Sequence, residues 1–409
     1  MKALLYERSL PRIATSRLAG AVSPGMGSRF GALRLVEAEE PELPGPGWQR
    51  VRPLLSGICG SDLSTVDGHA SRWFEPIVSF PFVPGHEVVG VTDDDRRVVV
   101  EPVLGCTARG IDPPCPHCAV GDTGRCERVA FGHLAPGLQT GYCADTGGGW
   151  GGALVAHASQ LHAVPDALSD EAAVMVEPAA CAVHGALAAG DVSGAVVAVL
   201  GAGTLGLCTL AALRRLSLPG TVIIGAKYAD QRTLAGELGA TVVADPGEVR
   251  RAVRRTTRSL VIGDRLTGGA DVVIDCVGSA DSLAEALAVV RPRGRVVLVG
   301  MPGELTVDLT PLWQREVQLV GAYAYGAEES LGRRTFDVAM ELVHDAGLER
   351  LVSARYPLER YVDAIEHAAT AGRRGAVKVV FDQRRPLKGR RRAGVEGTAA
   401  PTAEKGTFP

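Results

Sequence analysis

Aromatic residues are scarce in this chain, at 5% of 409 positions, and no apolar run approaches the roughly 18 residues that a membrane-spanning helix requires. The second absence excludes a helical membrane protein. Charge of one sign is also missing: 43 basic residues face 46 acidic ones, a formal net charge of -3. No general field therefore draws the chain toward nucleic acid or anionic lipid, and the partner class that is left is a small molecule. The N-terminus has no signal-peptide pattern, so a cytoplasmic, reducing location is expected. The nine cysteines, an odd number, are then expected as thiols available for metal rather than as disulfides.

Glycine, by contrast, is abundant, with 51 residues, and the length exceeds what one ordinary core supports, which predicts two domains. From about residue 190 short β-branched bursts alternate with helical stretches: 195–200, 221–226, 241–244, 271–277 and 295–300. That rhythm predicts a doubly wound parallel sheet with helices on both faces. One helix is expected over 281–290 with Asp281 as N-cap, and another over about 230–238 closed by Gly239. Before residue 180 the chain has short strands, many Gly and Pro residues and most of the cysteines, the pattern of a separate, mainly β domain. Expected divisions are 1–182, 183–324 and a return to the first domain over 325–382, with helices near 335–346 and 358–371 and a last strand at 376–381. Residues 383–409 are polar and expected to be disordered; their cluster Lys388, Arg390, Arg391 and Arg392 reads as a solvated tail rather than a nucleic-acid patch.

Between the first burst and the next helix stands Gly201-Ala202-Gly203-Thr204-Leu205-Gly206. In that position a G-x-G-x-x-G loop has three jobs: Gly201 for the tight turn, Gly203 for close approach of a pyrophosphate, Gly206 for helix packing on strand. The helix N-terminus supplies free N–H groups to the phosphates. Thr204, Leu205, Val277 and Gly300 are further expected cofactor contacts. At the end of the second burst, where an acid would bind the ribose of NAD, the chain has Lys227-Tyr228 instead. A lysine there suits a 2′-phosphate, so NADP(H) is the expected cofactor; the alternative is that Lys227 faces solvent and both cofactors are accepted.

Cys106, Cys115, Cys118 and Cys126 are separated by 8, 2 and 7 residues, a spacing that can wrap four thiolates around one tetrahedral structural zinc. His117 within this lobe is expected to be exposed. A second, dispersed set is Cys59, His86 and Glu177, mixed donors that suit a catalytic zinc with an open position.

Taken in order, Cys59-Gly60-Ser61-Asp62, Gly85-His86-Glu87, the four-cysteine lobe, Glu177-Pro178, Gly201–Gly206, Asp271–Gly278 and Gly375–Phe381 resemble the zinc-containing medium-chain dehydrogenase/reductases, the branch of alcohol, sorbitol, threonine and glucose dehydrogenases. The resemblance implies an α/β architecture, a GroES-like β-rich catalytic domain plus a Rossmann domain, with the active site in the cleft between them. It implies two Zn2+ per chain and hydride transfer between NADP(H) and an alcohol, polyol or sugar hydroxyl or the corresponding carbonyl. Cys59, His86 and Glu177 would hold the catalytic zinc, with Glu87 as an outer or exchanging ligand. Ser61 would bind the substrate oxygen and pass its proton outward, and Asp62 would orient His86. Glu177 in place of a cysteine resembles the polyol and sugar branch, and strand 317–324 implies a homodimer or homotetramer.

The chain departs from the family at two places. Ser64 stands where a relay histidine is often found, with His69 as a possible substitute, and extra residues separate Cys106 from Cys115, which leaves Asp112 as the alternative fourth lobe ligand. Competing classes are an NADPH-binding sensor or scaffold without chemistry, and a zinc-free quinone reductase; metal content separates them.

Overall fold

The structure, a computed structural model, describes residues 1–263 and 265–384. Apart from Gln383 and Arg384, the expected disordered tail and its basic cluster lie outside the described residues.

The parallel sheet contains six strands in the order Val242–Ala244, Thr221–Gly225, Val196–Leu200, Ala270–Asp275, Val290–Leu298, Gln318–Gly321, every neighbouring pair being parallel. Val197, Ala198, Val199, Val222, Ile223 and Ile224 are fully buried, because helices cover both faces and leave no polar side to the sheet. The strand order reverses between Val196–Leu200 and Ala270–Asp275, and crevices for ligands open at such switch points. The helix expected from Asp281 runs over Ala280–Val289 and is capped instead by Ser279, whose side chain accepts from Ser282 N. The other predicted helix runs over Ala229–Glu237, with Gly239 at φ +92° just beyond it.

The β-rich body is a seven-stranded sheet in which Trp48–Gly57 pairs antiparallel with Val88–Thr92, Leu154–His157 and Lys378–Asp382. Val352–Tyr356 adds in parallel to Lys378–Asp382, so residues 352–382 return to the first sheet. The helix Val176–Ala188 runs straight across residue 182, which makes it a beam shared by both sheets' layers, and one apolar cluster reaches from Leu55, Val89 and Val99 through this helix to Val197 and Ile224. We offer 1–182, 183–324 and 325–382 as a domain description on that understanding.

One segment departs from the expected β character. Strands Lys2–Tyr6 and Leu33–Glu37 form an antiparallel pair, yet residues 7–32 between them fold as helices Leu10–Val22 and Gly27–Phe30. Pro11 near the start of the first helix, with its fixed φ and no N–H to satisfy, favours that position. The turn between these helices is fixed by buried Asp67, whose carboxylate accepts from Gly25 N at 2.7 Å and Gly27 N at 3.0 Å. Replacing Asp67 by alanine strands two buried N–H groups. Asp67→Ala is expected to lower unfolding free energy by about 2–4 kcal/mol, read by denaturant titration; a loss under about 0.5 kcal/mol, within the scatter of ordinary surface changes, would contradict this account.

Candidate active site and metal centres

Gly201 ends the strand Val196–Leu200 at φ +93°, and a Cβ there would stand 2.7 Å from Val277 Cγ2. A Cβ on Gly206 would collide with the Gly201 carbonyl, whereas one on Gly203 would meet nothing within 4 Å. The first and last glycines are thus demanded by packing and the middle one faces open space, the arrangement that lets a phosphate approach the backbone. Gly203 is also the N-cap of the helix Thr204–Leu216, which carries no acid in its first turn, so the helix's positive end is uncompensated. A cavity of about 290 Å³ opens beside it, lined by Pro24, Gly203, Tyr228, Gln231, Gly372 and Arg373. Lys227 is exposed next to it, its Nζ 5.8 Å from the Tyr228 ring. Gly300 packs against Gly278 and Val277 on the other side of the switch point.

Cys59 caps the helix Gly60–Val66, and Asp62, three residues on, accepts from Cys59 N at 3.0 Å. The same carboxylate lies 3.4 Å from His86 Nδ1, so Asp62 fixes the cysteine's backbone and stands beside the imidazole. The donor atoms of Cys59, His86 and Glu87 all lie within 4.8 Å of one another. Glu177 stands outside that group: its Oε1 accepts from Tyr325 OH at 2.8 Å and from the Cys181 thiol at 3.8 Å. Burial pushes the Glu177 carboxyl up to about 6, a rise that His86 opposes and the Glu87 charge reinforces. Glu87 is ion-paired with Lys378, each 2% exposed, and the Lys378 ammonium also donates to Ile58 O at 3.2 Å. Burial works against the charged lysine, but Glu87 outweighs it and the Lys378 pKa is raised. Gly57 makes room for this pair, since a Cβ there would collide with the Glu87 carboxylate and stand 2.8 Å from Lys378 Cε.

Ser61 Oγ is buried and has no hydrogen-bond partner among the described residues. Nearby hydroxyl groups belong to Thr65, which donates to the Ser61 backbone carbonyl at 2.9 Å, and Tyr142, 3.4 Å from Thr65 Oγ1 and 3.3 Å from Asp62 Oδ1. His69 is exposed and lies outside this chain of contacts.

In the lobe, the sulfurs of Cys106, Cys115, Cys118 and Cys126 converge within 4.8 Å, and Asp112 is not among them. Backbone N–H groups point at the sulfurs: Cys115 N to Cys106 Sγ at 3.3 Å, Cys106 N to Cys118 Sγ at 3.4 Å, Arg128 N to Cys126 Sγ at 3.4 Å. Such donors favour thiolates. Burial opposes this at Cys115, but hydrogen bonds from the backbone of Cys118 and Glu127 draw that thiol down to about 6. All nine cysteines are free. His117 is 39% exposed and pairs with Asp122 at 3.3 Å. Around the lobe, fully buried Arg109 donates to the carbonyls of Leu104, Phe131 and Gly137.

Sequence reasoning did not single out Tyr142, Tyr325 or Lys378. Lys378 lay in view within the closing 375–381 segment, whereas the tyrosines sit in loops without periodicity.

Two family matches cover much of the chain: residues 45–166 match the alcohol dehydrogenase GroES-like domain and residues 204–345 the zinc-binding dehydrogenase family. L-idonate 5-dehydrogenase of Vitis vinifera is 29% identical over 360 residues, covering 83% of this chain and 88% of its own. Sorbitol dehydrogenase of Arabidopsis thaliana is 29% identical over 360 residues, covering 83% and 89%. A candidate zinc-binding dehydrogenase of Sinorhizobium meliloti, solved bound to NADP, superposes with a TM-score of 0.65 at 26% identity over 86% of this chain and 95% of that one.

Both donor clusters can be tested by counting. Protein made in zinc-replete medium should carry two metal ions per chain by elemental analysis, and Cys115→Ser should carry one and melt at a lower temperature. Metal-free protein with the melting temperature of the untreated sample would argue against both centres.

Proposed function

Because this chain belongs to the zinc-containing medium-chain dehydrogenase/reductase family, oxidoreductases that act on CH–OH or carbonyl groups with a nicotinamide cofactor, we propose that it is a zinc-dependent, NADP(H)-preferring dehydrogenase or reductase of a polyol, sugar or related alcohol. The observation that carries this reading is the convergence of Cys59, His86 and Glu87 within 4.8 Å beside a buried, unpartnered Ser61 hydroxyl. A thiolate, an imidazole and a carboxylate are the donor types that zinc takes in open catalytic sites, so the residues fit the ion. When bound, zinc supplies Lewis acidity, of the kind that brings water from a pKa of about 15.7 to about 7, and the nicotinamide supplies the hydride acceptor or donor.

The chain's own residues do the rest. Asp62 holds the His86 ring and, through the Cys59 N–H, the start of the helix that bears Ser61. Ser61 Oγ, with no internal partner, is free to hydrogen-bond the substrate oxygen and take its proton. Thr65, which donates to the Ser61 carbonyl, and Tyr142 are the neighbouring hydroxyls where the family's usual histidine is replaced by Ser64. Glu177, held by Tyr325, is a second buried acceptor facing the same pocket. The polyol or sugar preference rests on Glu177 and on the idonate and sorbitol dehydrogenases to which the chain is similar. The exposed edge strand Gln318–Gly321, which pairs on one side only among the described residues, suits the proposed homodimer or tetramer.

Cys59→Ala is expected to abolish turnover across a panel of polyols, sugars and their ketones while NADPH still binds by fluorescence titration; retained turnover would remove the proposed zinc chemistry. For the cofactor, the wild type should show a higher kcat/KM with NADPH than with NADH. Lys227→Ala should cut the NADPH value about tenfold with little change for NADH, the scale of one charge-assisted contact at an exposed site. Equal kcat/KM for both cofactors in the wild type would contradict the preference.

A further inference from the structure

Tyr325 follows Gln318–Gly321, the last strand of the six-stranded parallel sheet, and is 2% exposed. Its hydroxyl reaches Glu177, but its backbone rests on the four-cysteine lobe. Ala327 N donates to Gly121 O at 3.0 Å. A Cβ on Gly326 would stand 2.9 Å from that carbonyl, and one on Gly124 would stand 2.8 Å from Tyr325 O and 3.1 Å from Ala324 Cβ. Gly121 and Gly124 lie on the stretch of lobe between Cys118 and Cys126, in and beside the short 3-10 helix Thr123–Arg125. On the far side the Tyr325 ring meets Phe336 edge-on at 4.9 Å, and Thr335 N donates to Gly326 O at 2.8 Å. The tyrosine is therefore clamped between the lobe and the helix Thr335–Asp345, with its hydroxyl on Glu177.

We infer that the four-cysteine lobe, beyond stapling its own loop, sets the place of Glu177 through Tyr325 and keeps that carboxylate off the Cys59, His86 and Glu87 donors. The inference rests on the zinc reading given above. Tyr325 is a positioning residue, acting through the Glu177 carboxylate. Without its O–H, Glu177 Oε1 keeps only the distant Cys181 thiol at 3.8 Å, and a buried carboxylate short of donors moves to the nearest cation. In the zinc-loaded protein the ion held by Cys59, His86 and Glu87 would be that cation, since Lys378 is already paired with Glu87. Glu177 then becomes an added ligand and ceases to be a free acceptor.

The test uses the full-length zinc-loaded protein and follows metal release to a chromophoric chelator, with Cys59→Ala identifying the phase that belongs to the Cys59 site. Tyr325→Phe should slow that phase by about ten- to a hundredfold, the usual reach of groups that hold metal ligands, and should lower kcat with KM nearly unchanged. Gly124→Ala lies outside both donor sets, and its backbone φ is one that any residue adopts. It should slow the same phase while the lobe keeps its own metal, because its new methyl pushes on Tyr325 O. A merely structural role would loosen the metal or leave it alone. Release from Tyr325→Phe at or above the wild-type rate overturns the inference, and so does a Gly124→Ala protein that melts earlier but releases metal like the wild type. A wild-type protein with no Cys59-dependent phase would instead overturn the zinc reading itself.

Discussion

Two carboxylates, Glu87 and Glu177, are buried in one pocket, and a charge withdrawn from water costs several kcal/mol unless it is paired. The site exists because each is given its own donor, Lys378 for Glu87 and Tyr325 for Glu177. Both donors come from the chain beyond residue 318, whereas Cys59 and His86 come from its first quarter. The pocket is therefore electrostatically incomplete until the strand Lys378–Asp382 has inserted beside Trp48–Gly57. Gly57 sits at the point of insertion, where any side chain would occupy the space of the ion pair. The return of the chain to its first sheet is thus a condition of burying the acids as well as a feature of topology.

The helix Val176–Ala188 ties this pocket to the dinucleotide crevice. Glu177 lies in its first turn, and the helix packs along both Thr204–Leu216, which begins at Gly203, and Thr335–Asp345, which backs Tyr325. Close approach depends on small residues: Ala179, Ala180, Ala182, Val183 and Ala186 are fully buried, and a Cβ on Gly185 would stand 2.8 Å from Val299 Cγ2. The scarcity of aromatics in the composition has its structural counterpart here, in an interior built by close backbone approach. A large side chain on this helix would separate the carboxylate from the cofactor loop.

The parts of the molecule legible in the sequence are those with a period or a fixed spacing. The five β-branched bursts all became parallel strands, with ends shifted by up to five residues, and the four lobe cysteines meet in space with Cys106 rather than Asp112. Proximity of Cys59 and His86 followed from several motifs in one order, since spacing alone could not bring residues so far apart together; the third donor expected with them was Glu177, whereas the group that closes contains Glu87. The hairpin connection over 7–32 misled because its helices expose Leu10, Leu18 and Val22 and bury little, so they lack the apolar stripe that marks a helix in text. The cap at Ser279 rather than Asp281 was a choice between two competent residues, decided by the position of Asp275, which accepts from Ser282 Oγ at 2.8 Å. Tyr325 lay in no motif and Lys378 lay inside one without a role, because their meaning lies in which buried charge they face, and that is fixed only by the fold.

Charge summation explains why a lysine should be buried against Glu87 at all. In the proposed site a Cys59 thiolate and a Glu87 carboxylate carry two negative charges, enough to cancel a divalent ion and blunt its pull on a substrate oxygen. Four thiolates around an ion in the lobe would go further and make a net negative centre, which suits a site that only has to hold structure. Lys378, charged and 2% exposed, returns one positive charge to the catalytic pocket without occupying a ligand position. Its ammonium also donates to Ile58 O, one residue before Cys59, so it steadies the thiolate's backbone as it offsets the carboxylate. Under the proposed zinc reading the two centres would differ in net charge as well as in ligand count, with Lys378 offsetting part of the negative charge of the open one.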